Sequence, residues 1–578
     1  MNIDQPIYTE KNDCQDCYKC VRNCPVKAIR IADNCASVID DLCITCAKCV
    51  QVCPVGAKKV RADIDIIKML IRKGERVILS LAPSWVSSFQ GVDSKSMIIV
   101  LKKLGFYAVS ETALGAEIVN RFTRNYIIEA NQNVILSSAC PVIVEWVKKY
   151  YSDLSVNLLP AFSPLLSHSK YLKEYYGSDI HVVFAGPCIA KKRESDENPE
   201  MVDACITFRE LLDWLEEESI SFDSTIREDV YFEPVEAVSG ASYPVDGGMI
   251  SGLIRNGYPT DVQFLSFSGI DAVKQVLADI EQWDLNSKVF IELMACTGGC
   301  INGPGAIKNG SMALKHSLVI NHTNRKHVEI GFGKELMANN IDIKKCFKPL
   351  EKKQAKLYSE SEIIESLKSV GKQSSKDELN CGGCGYESCR EFAIAMLDGK
   401  AERNMCISYM RRVAHDKATV LLQRMPSGVI IVDENLKVVE CNQSAANMLG
   451  SEVQTIFSAN PGLAGANIVK LLPFHKLFLM VLTTGRDIID RDVDVSGKKL
   501  KVSIFTIQAH KIVCAIMRDL SNPDVRSDEI LTRTRSVIKE NLETVQKIAY
   551  LLGENASRTE TILNSIMELY SEDNVNKY

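Results

Sequence analysis

Sixteen of the twenty-one cysteines in this chain fall into spacings suited to capturing iron and sulfide. Cys14, Cys17, Cys20 and Cys24 form the run C-x2-C-x2-C-x3-C, closed by Pro25; Cys43, Cys46, Cys49 and Cys53 repeat it, closed by Pro54. Three thiolates two residues apart wrap one corner of a cubane while the fourth reaches across to a neighbouring cage. Cys381, Cys384, Cys389 and Cys406 give C-x2-C-x4-C-x16-C, with Gly382, Gly383 and Gly385 making a tight loop. A cage of this kind needs soft, deprotonated sulfur. Zinc is the competing reading at all three runs. Cys140, Cys188 and Cys296 stand differently, each closing an apolar run, with Cys300 four residues further on. Cys35, Cys205, Cys346, Cys441 and Cys514 fit no pattern, and Cys35 reads as a packing or loop thiol.

The elements that must position the isolated cysteines are legible around them. ERVILSLAP, NVILSSACP, HVVFAGPC, VQFLSFSG and KVFIELMAC read as buried strands ending in turns. SMIIVLKKLGF, VIVEWVKKYY and TFRELLDWLEEE between them have helical spacing. Strand–helix alternation argues for an α/β domain with mostly parallel sheets, whose chemistry sits at the carboxyl ends of strands. That is where Cys140, Cys188 and Cys296 fall. A lone buried thiol is otherwise most often a packing residue.

The head, residues 1–62, resembles a bacterial two-cluster ferredoxin, which moves single electrons and implies a donor or acceptor elsewhere. In residues 63–355, SSACPVIVEW at 137–146, GPCIAKKRE at 186–194 and ELMACTGGCINGPG at 292–305 occur in this order. They resemble the three signature segments of the iron-only (FeFe) hydrogenases. LAPSW at 81–85, SP at 163–164, DACITFREL at 203–211 and VDGGMI at 245–250 extend the likeness. The resemblance implies a 4Fe-4S cubane on Cys140, Cys188, Cys296 and Cys300. Cys300 would bridge to a two-iron subsite carrying CO, cyanide and a dithiolate. It also implies that Lys191 donates to a cyanide ligand, with Ala82, Pro83, Ser84 and Met294 around the subsite. A solvated surface lysine and a helix cap are the plain alternatives for Lys191 and Ser84. Residues 360–415 resemble small 4Fe-4S domains of corrinoid and related redox proteins, and would bring the clusters to four.

Three departures from the family pattern bear on function. Ala139 stands where the working enzymes keep a proton-carrying cysteine, and alanine has no exchangeable proton. Gly186 replaces a methionine, which leaves room at the rim for another group or a water. GPGA replaces G-G-G-Q after Cys300, and no acidic pair marks the carboxylate relay. Proton transfer by a positioned group contributes about 10²- to 10⁴-fold to rate, so the expectation is slow turnover with the cofactor ligands intact. An alternative proton path is the minority reading. The same substitutions resemble the sensory subgroup of the family.

MPSGVIIVDENLKVVECNQSAANMLG at 425–450 reads strand, turn, strand, then a helix capped by Asn442 and closed by Gly450. It resembles the opening of a PAS domain, expected over 416–520 with KLKVSIFTIQAHKIVCAIMRDLS as its last hairpin. Cys441, His475, His510 and Cys514 in it are expected to be structural. Leu531, Ile538, Val545 and Leu552 recur every seven residues, with Leu542, Ala549, Ala556 and Leu563 between them. This predicts a coiled-coil dimer over 521–578; a single amphipathic helix packed on the PAS domain is the simpler alternative.

At 578 residues the chain needs several domains. The whole is thus expected to be multidomain α/β and α+β: ferredoxin head, hydrogenase-type domain, small 4Fe-4S domain, PAS domain and coiled coil. A net charge of −5 offers no general attraction to nucleic acid or anionic lipid. The polar start MNIDQPIYTEKND and the lack of long apolar runs suggest a cytoplasmic protein. The resemblance implies H₂ and protons, a ferredoxin-like redox partner and hydrogenase maturation proteins as partners. With no kinase, phosphatase or DNA-binding residues after the PAS segment, output is expected through a separate kinase or phosphatase. A metabolic hydrogenase and a non-catalytic iron–sulfur scaffold are the rival readings.

Overall fold

A computed structural model describes residues 5–222, 229–255, 262–283, 287–330, 341–349 and 356–520, together with Lys539 and Leu542. The chain divides into two compact units, Met1–Tyr409 and Met410–Tyr578.

In the first unit the doubled cysteine run folds as two copies of one device. β1 (Ile7–Thr9) precedes the first run and β2 (Ile29–Ala32) follows it; β3 (Cys35–Val38) and β4 (Lys58–Val60) flank the second. β1 pairs with β4 and β2 with β3, both antiparallel. A short helix, Lys19–Arg22 or Lys48–Val52, carries the third cysteine of each run. Left-handed backbone recurs at matching places: Asp16 and Thr45, Tyr18 and Ala47, Lys27 and Gly56. Such reversals turn successive N–H groups into one hollow, as an anionic cage requires.

The next segment supplies the expected parallel strands. β5 (Val77–Leu81), β6 (Ala108–Glu111), β8 (His181–Gly186) and β9 (Ala204–Thr207) form a sheet in the order β6-β5-β8-β9. A second sheet has the order β10-β11-β7, from β7 (Val134–Leu136), β10 (Val262–Ser268) and β11 (Lys288–Met294). All pairs in both sheets are parallel. Every residue of β5 is buried, as a strand covered on both faces must be. The helices Ser94–Lys103, Pro141–Tyr150 and Phe208–Glu217 lie where their periodicity predicts. β6 and β9 were not among the expected strands; each has four residues and carries Ser, Glu or Cys among its apolar ones.

The 381–406 loop docks on the ferredoxin head. The Ile31 N–H donates to Lys400 O at 3.0 Å and the Asp33 N–H to a Glu402 carboxylate oxygen at 3.0 Å. Val21, Ile31, Tyr386, Phe392 and Met405 share one hydrophobic cluster. On its other side the head is held by Lys149 and Arg193, which donate to Cys43 O at 2.8 and 2.9 Å.

The second unit contains β12 (Gly428–Asp433), β13 (Val438–Cys441), β14 (Ile488–Val495), β15 (Lys498–Gln508) and β16 (Ile512–Asp519). They form an antiparallel sheet ordered β13-β12-β16-β15-β14. Asn442 caps helix Gln443–Leu449, accepting from the Ala445 N–H at 2.9 Å. His475 and His510 bond backbone carbonyls, and Cys441 and Cys514 are buried, which suits structural roles. The heptads fall outside the described residues apart from Leu542, which is exposed. Among the described residues no helix is long and apolar enough to cross a membrane.

Candidate metal centre

Cys140, Cys188, Cys296 and Cys300 all line one cavity of about 120 Å³. Each is presented at the carboxyl end of a strand: Cys140 beyond β7, Cys188 directly after β8, Cys296 after β11, and Cys300 at the start of the next turn. Close backbone approach holds the last two in place. The Gly305 N–H donates to Pro187 O at 2.7 Å, and Gly299, at φ 96°, sits where a Cβ would lie 2.3 Å from Pro244 O. Only glycine fits there.

The electrostatics fit a polycationic cage. Burial and then the neighbouring Cys140 thiol push Cys188 up to about 11. Burial and crowding by the other thiols raise Cys296 and Cys300 further. Four thiols crowded in a buried space are costly to ionise without cations, and iron supplies them. Ser84 Oγ, on the cavity wall, is buried and lacks a hydrogen-bond partner within the protein. Ser84 occupies the cap position of helix Trp85–Ser88 without making a side-chain cap bond, which sets aside the plain reading. Ala82, Pro83 and Met294 line the same space. An orphaned hydroxyl and four thiols on one apolar wall suit a large anionic group with hydrogen-bond acceptors.

Lys191 is also on the wall, and it is buried rather than a solvated surface lysine. Its ammonium donates to Glu194 Oε2 at 2.6 Å and Ser163 Oγ at 2.9 Å, which leaves one N–H uncommitted. Burial opposes the charge, but the Glu194 carboxylate, with the Cys188 and Cys140 thiols, outweighs it and holds the ammonium above its ordinary pKa. The Cys205 thiol, without a role in the spacing analysis, donates to Lys191 O at 3.1 Å and fixes the start of this helix.

Residues 75–304 match the family model of the iron only hydrogenase large subunit, C-terminal domain. This segment belongs to the iron-only hydrogenase family. Residues 6–54 match a 4Fe-4S dicluster domain, 377–408 a putative Fe-S cluster domain and 419–480 a PAS domain. Iron hydrogenase 1 of Clostridium pasteurianum is 27% identical over 304 residues, covering 42% of this chain and 52% of that protein. The chain thus spans about half the length of that relative. A zebrafish (Danio rerio) protein described as a cytosolic Fe-S cluster assembly factor is 24% identical over 302 residues, covering 40% of this chain and 72% of its own. A solved [FeFe]-hydrogenase from Chlamydomonas reinhardtii aligns over 48% of this chain and 96% of its own, at 17% identity and a TM-score of 0.36.

The hydrogenase-type cavity shows what the departures do. Ala139 contributes a methyl group to the wall. The room expected beside Gly186 is filled: a Cβ there would meet the Phe184 ring at 2.4 Å and Ala82 Cβ at 2.9 Å. Phe184 itself lines the cavity, so the group beside Gly186 is an aromatic ring. Glu292, which belongs to no spacing motif, is a carboxyl on the cavity wall. It is buried at the inner end of β11 and accepts from the Met249 and Ile250 N–H groups at 3.3 and 3.1 Å. Burial raises its pKa to about 7, against the pull of those two amides. A lone glutamate inside the apolar run KVFIELM was the available signal.

Electron wiring is compact. Cys46 of the head contributes to the charge around Cys296, and both runs of the head share packing with neighbouring modules. Cys24 and Cys384 are both felt at the Tyr386 hydroxyl, which places the 381–406 loop beside the head.

Proposed function

We propose that the chain is a hydrogen- or redox-sensing hydrogenase of low turnover, running 2H⁺ + 2e⁻ ⇌ H₂ at the Cys140–Cys188–Cys296–Cys300 cavity. The carrying observation is the pairing of an intact four-thiol cavity, with Lys191 committed to it, and a wall that has Ala139 in place of a thiol. When bound, the two-iron group supplies the metal on which H₂ is split or formed. The chain's own residues would hold it: Cys300 would supply a thiolate, the spare N–H of Lys191 and the Ser84 hydroxyl would donate to its anionic ligands, and Phe184 and Met294 would keep water out. Glu292, neutral or charged near pH 7, is the titratable carboxyl nearest this work and supports slow proton exchange.

With clusters bound, Cys46 would hold the one in the head that lies beside Cys296, and so would sit on the electron route between head and cavity. The 381–406 loop, docked on the head, reads the redox state, and the PAS unit passes it to a separate kinase or phosphatase as a homodimer joined by the coiled coil. The zebrafish assembly factor keeps the scaffold reading as the alternative, because a protein described as cluster assembly shares this fold segment. Sensing is tested on matured full-length protein by hydrogen–deuterium exchange of residues 416–520 under H₂ and under argon. Protection that differs between the gases supports the sensor; identical exchange in both contradicts it.

A further inference from the structure

We infer that Lys58 splits the potentials of the two ferredoxin-head clusters, placing the one on Cys14, Cys17, Cys20 and Cys53 above the one on Cys24, Cys43, Cys46 and Cys49. This rests on the head holding two cages with exchanged fourth ligands.

The two halves of the head form an internal repeat. Cys14 to Ala28 corresponds position by position to Cys43 to Ala57, and the matching left-handed residues show that the backbones correspond too. Cages in such equivalent loops differ through what surrounds them: Lys149 and Arg193 reach Cys43 O of the second cage, but each is paired with a carboxylate, Glu145 and Asp40 respectively, which offsets its charge. The flanking strands extend the repeat: Thr9 corresponds to Val38 and Ile29 to Lys58. These four residues form two pairs, Ile29 opposite Val38 in β2–β3 and Thr9 opposite Lys58 in β1–β4. One pair is apolar; the other contains an ammonium. Ile29 and Lys58 are equally deep, at 2% and 3% exposure.

A buried lysine is expensive unless held, and Lys58 is held. Its Nζ donates to Thr9 Oγ1 at 2.6 Å and Ala36 O at 2.7 Å. No carboxylate is among those partners, so its charge is left to act on the cages. Its charge is the largest influence after burial at Cys20 of the first cage, and at Cys49 of the second it stands behind that of Cys46. The strands that carry Thr9 and Lys58 lead into Cys14 and out of Cys53, both ligands of the first cage. A second break of the repeat falls on the same side. Cys35 corresponds to Pro6, and the Cys35 thiol, which donates to Ala36 O, lies in the fields of both Cys14 and Lys58.

Reduction adds one negative charge to a cage. A fixed, buried cation favours the reduced form, and burial limits screening by water. One electron therefore leaves the second cage, which stands beside Cys296, and enters the first. In hydrogen oxidation the first cage becomes the store from which an electron leaves the chain.

The test is a redox titration of full-length protein reconstituted with iron and sulfide, followed by electron paramagnetic resonance. Two separated head-cluster midpoints are expected in the wild type. In Lys58→Ile, which installs the counterpart residue, the higher midpoint falls toward the lower; in Lys58→Arg the separation persists. Ile29→Lys with Val38→Thr closes the separation from the other side. Iron content of the same samples reports the presence of the cages independently of their potentials. Coincident wild-type midpoints, or a separation unchanged by Lys58→Ile or by the reverse pair, overturn the inference.

Discussion

Replacing Glu292 with glutamine probes the one titratable carboxyl that the cavity wall exposes to the site. Glu292 is buried, its pKa is raised to about 7 chiefly by that burial, and only two backbone amides favour its charged form. The distance from an ordinary glutamate, at 4.5, corresponds to about 3 kcal/mol of penalty on the charged form. The sign follows from proton counting. Between about pH 4.5 and 7 the folded chain keeps the proton that the unfolded chain has lost, so the native state binds more protons and stability falls as pH rises. Above about pH 7 the penalty is fully present. Glu292→Gln keeps the shape and an acceptor for the Ile250 N–H while removing the charge. The variant should therefore gain stability relative to wild type by up to about 3 kcal/mol across that window, with no further change above it. A direct assay is infrared titration of the protonated-carboxyl band that wild type shows and the variant lacks. A midpoint near 7 is expected, and a midpoint in the ordinary carboxylate range would refute the reasoning. If Glu292 also exchanges protons with the site, hydrogen evolution in Glu292→Gln drops by about 10²- to 10⁴-fold with the two-iron group still bound.

The other predictions concern the same wall. Ala139→Cys, which restores a thiol to the cavity, should raise turnover by about 10²-fold or more in a hydrogen-evolution assay; unchanged turnover would mean that the missing thiol does not limit the rate. Lys191→Met leaves Glu194 buried without its cation and should cost about 3–5 kcal/mol in denaturant unfolding of the first unit, with loss of the two-iron group from matured protein. Gly186→Met drives a side chain into the Phe184 ring and should cost about 1–3 kcal/mol, largely recovered by adding Phe184→Ala; additive losses in the pair would show that the two residues do not compete for one space.

Much of this was legible in the sequence because cluster ligands are set by local spacing. The cysteine runs and the strand-end thiols at 140, 188 and 296 appear where the apolar runs end. The Asn442 cap and the PAS hairpin were legible for the same reason: capping residues and alternation are local signals. What was missed depends on neighbours distant in the chain. Phe184 and Gly186 stand two apart in β8 and so share a face by simple alternation, but that the Phe184 ring lies over the glycine depends on how the side chain packs. A place for Lys191 at the site was legible from the resemblance, but its bonds to Ser163 and Glu194 were not, because these partners acquire meaning only once they share a buried pocket. Glu292 sat unremarked inside an apolar strand because its two amide donors lie more than forty residues away, at Met249 and Ile250. The docking of the 381–406 loop on the head was likewise invisible, since linear order placed it next to the PAS segment.

The account stands or falls on whether the four-thiol cavity takes up a two-iron group. Infrared spectroscopy of the full-length chain, reconstituted with iron and sulfide and incubated with a two-iron precursor, reads this directly. The account predicts CO and cyanide bands that persist after removal of unbound precursor and vanish in Cys300→Ala. A spectrum without such bands, from protein whose iron content shows filled 4Fe-4S sites, would contradict it and favour the scaffold reading.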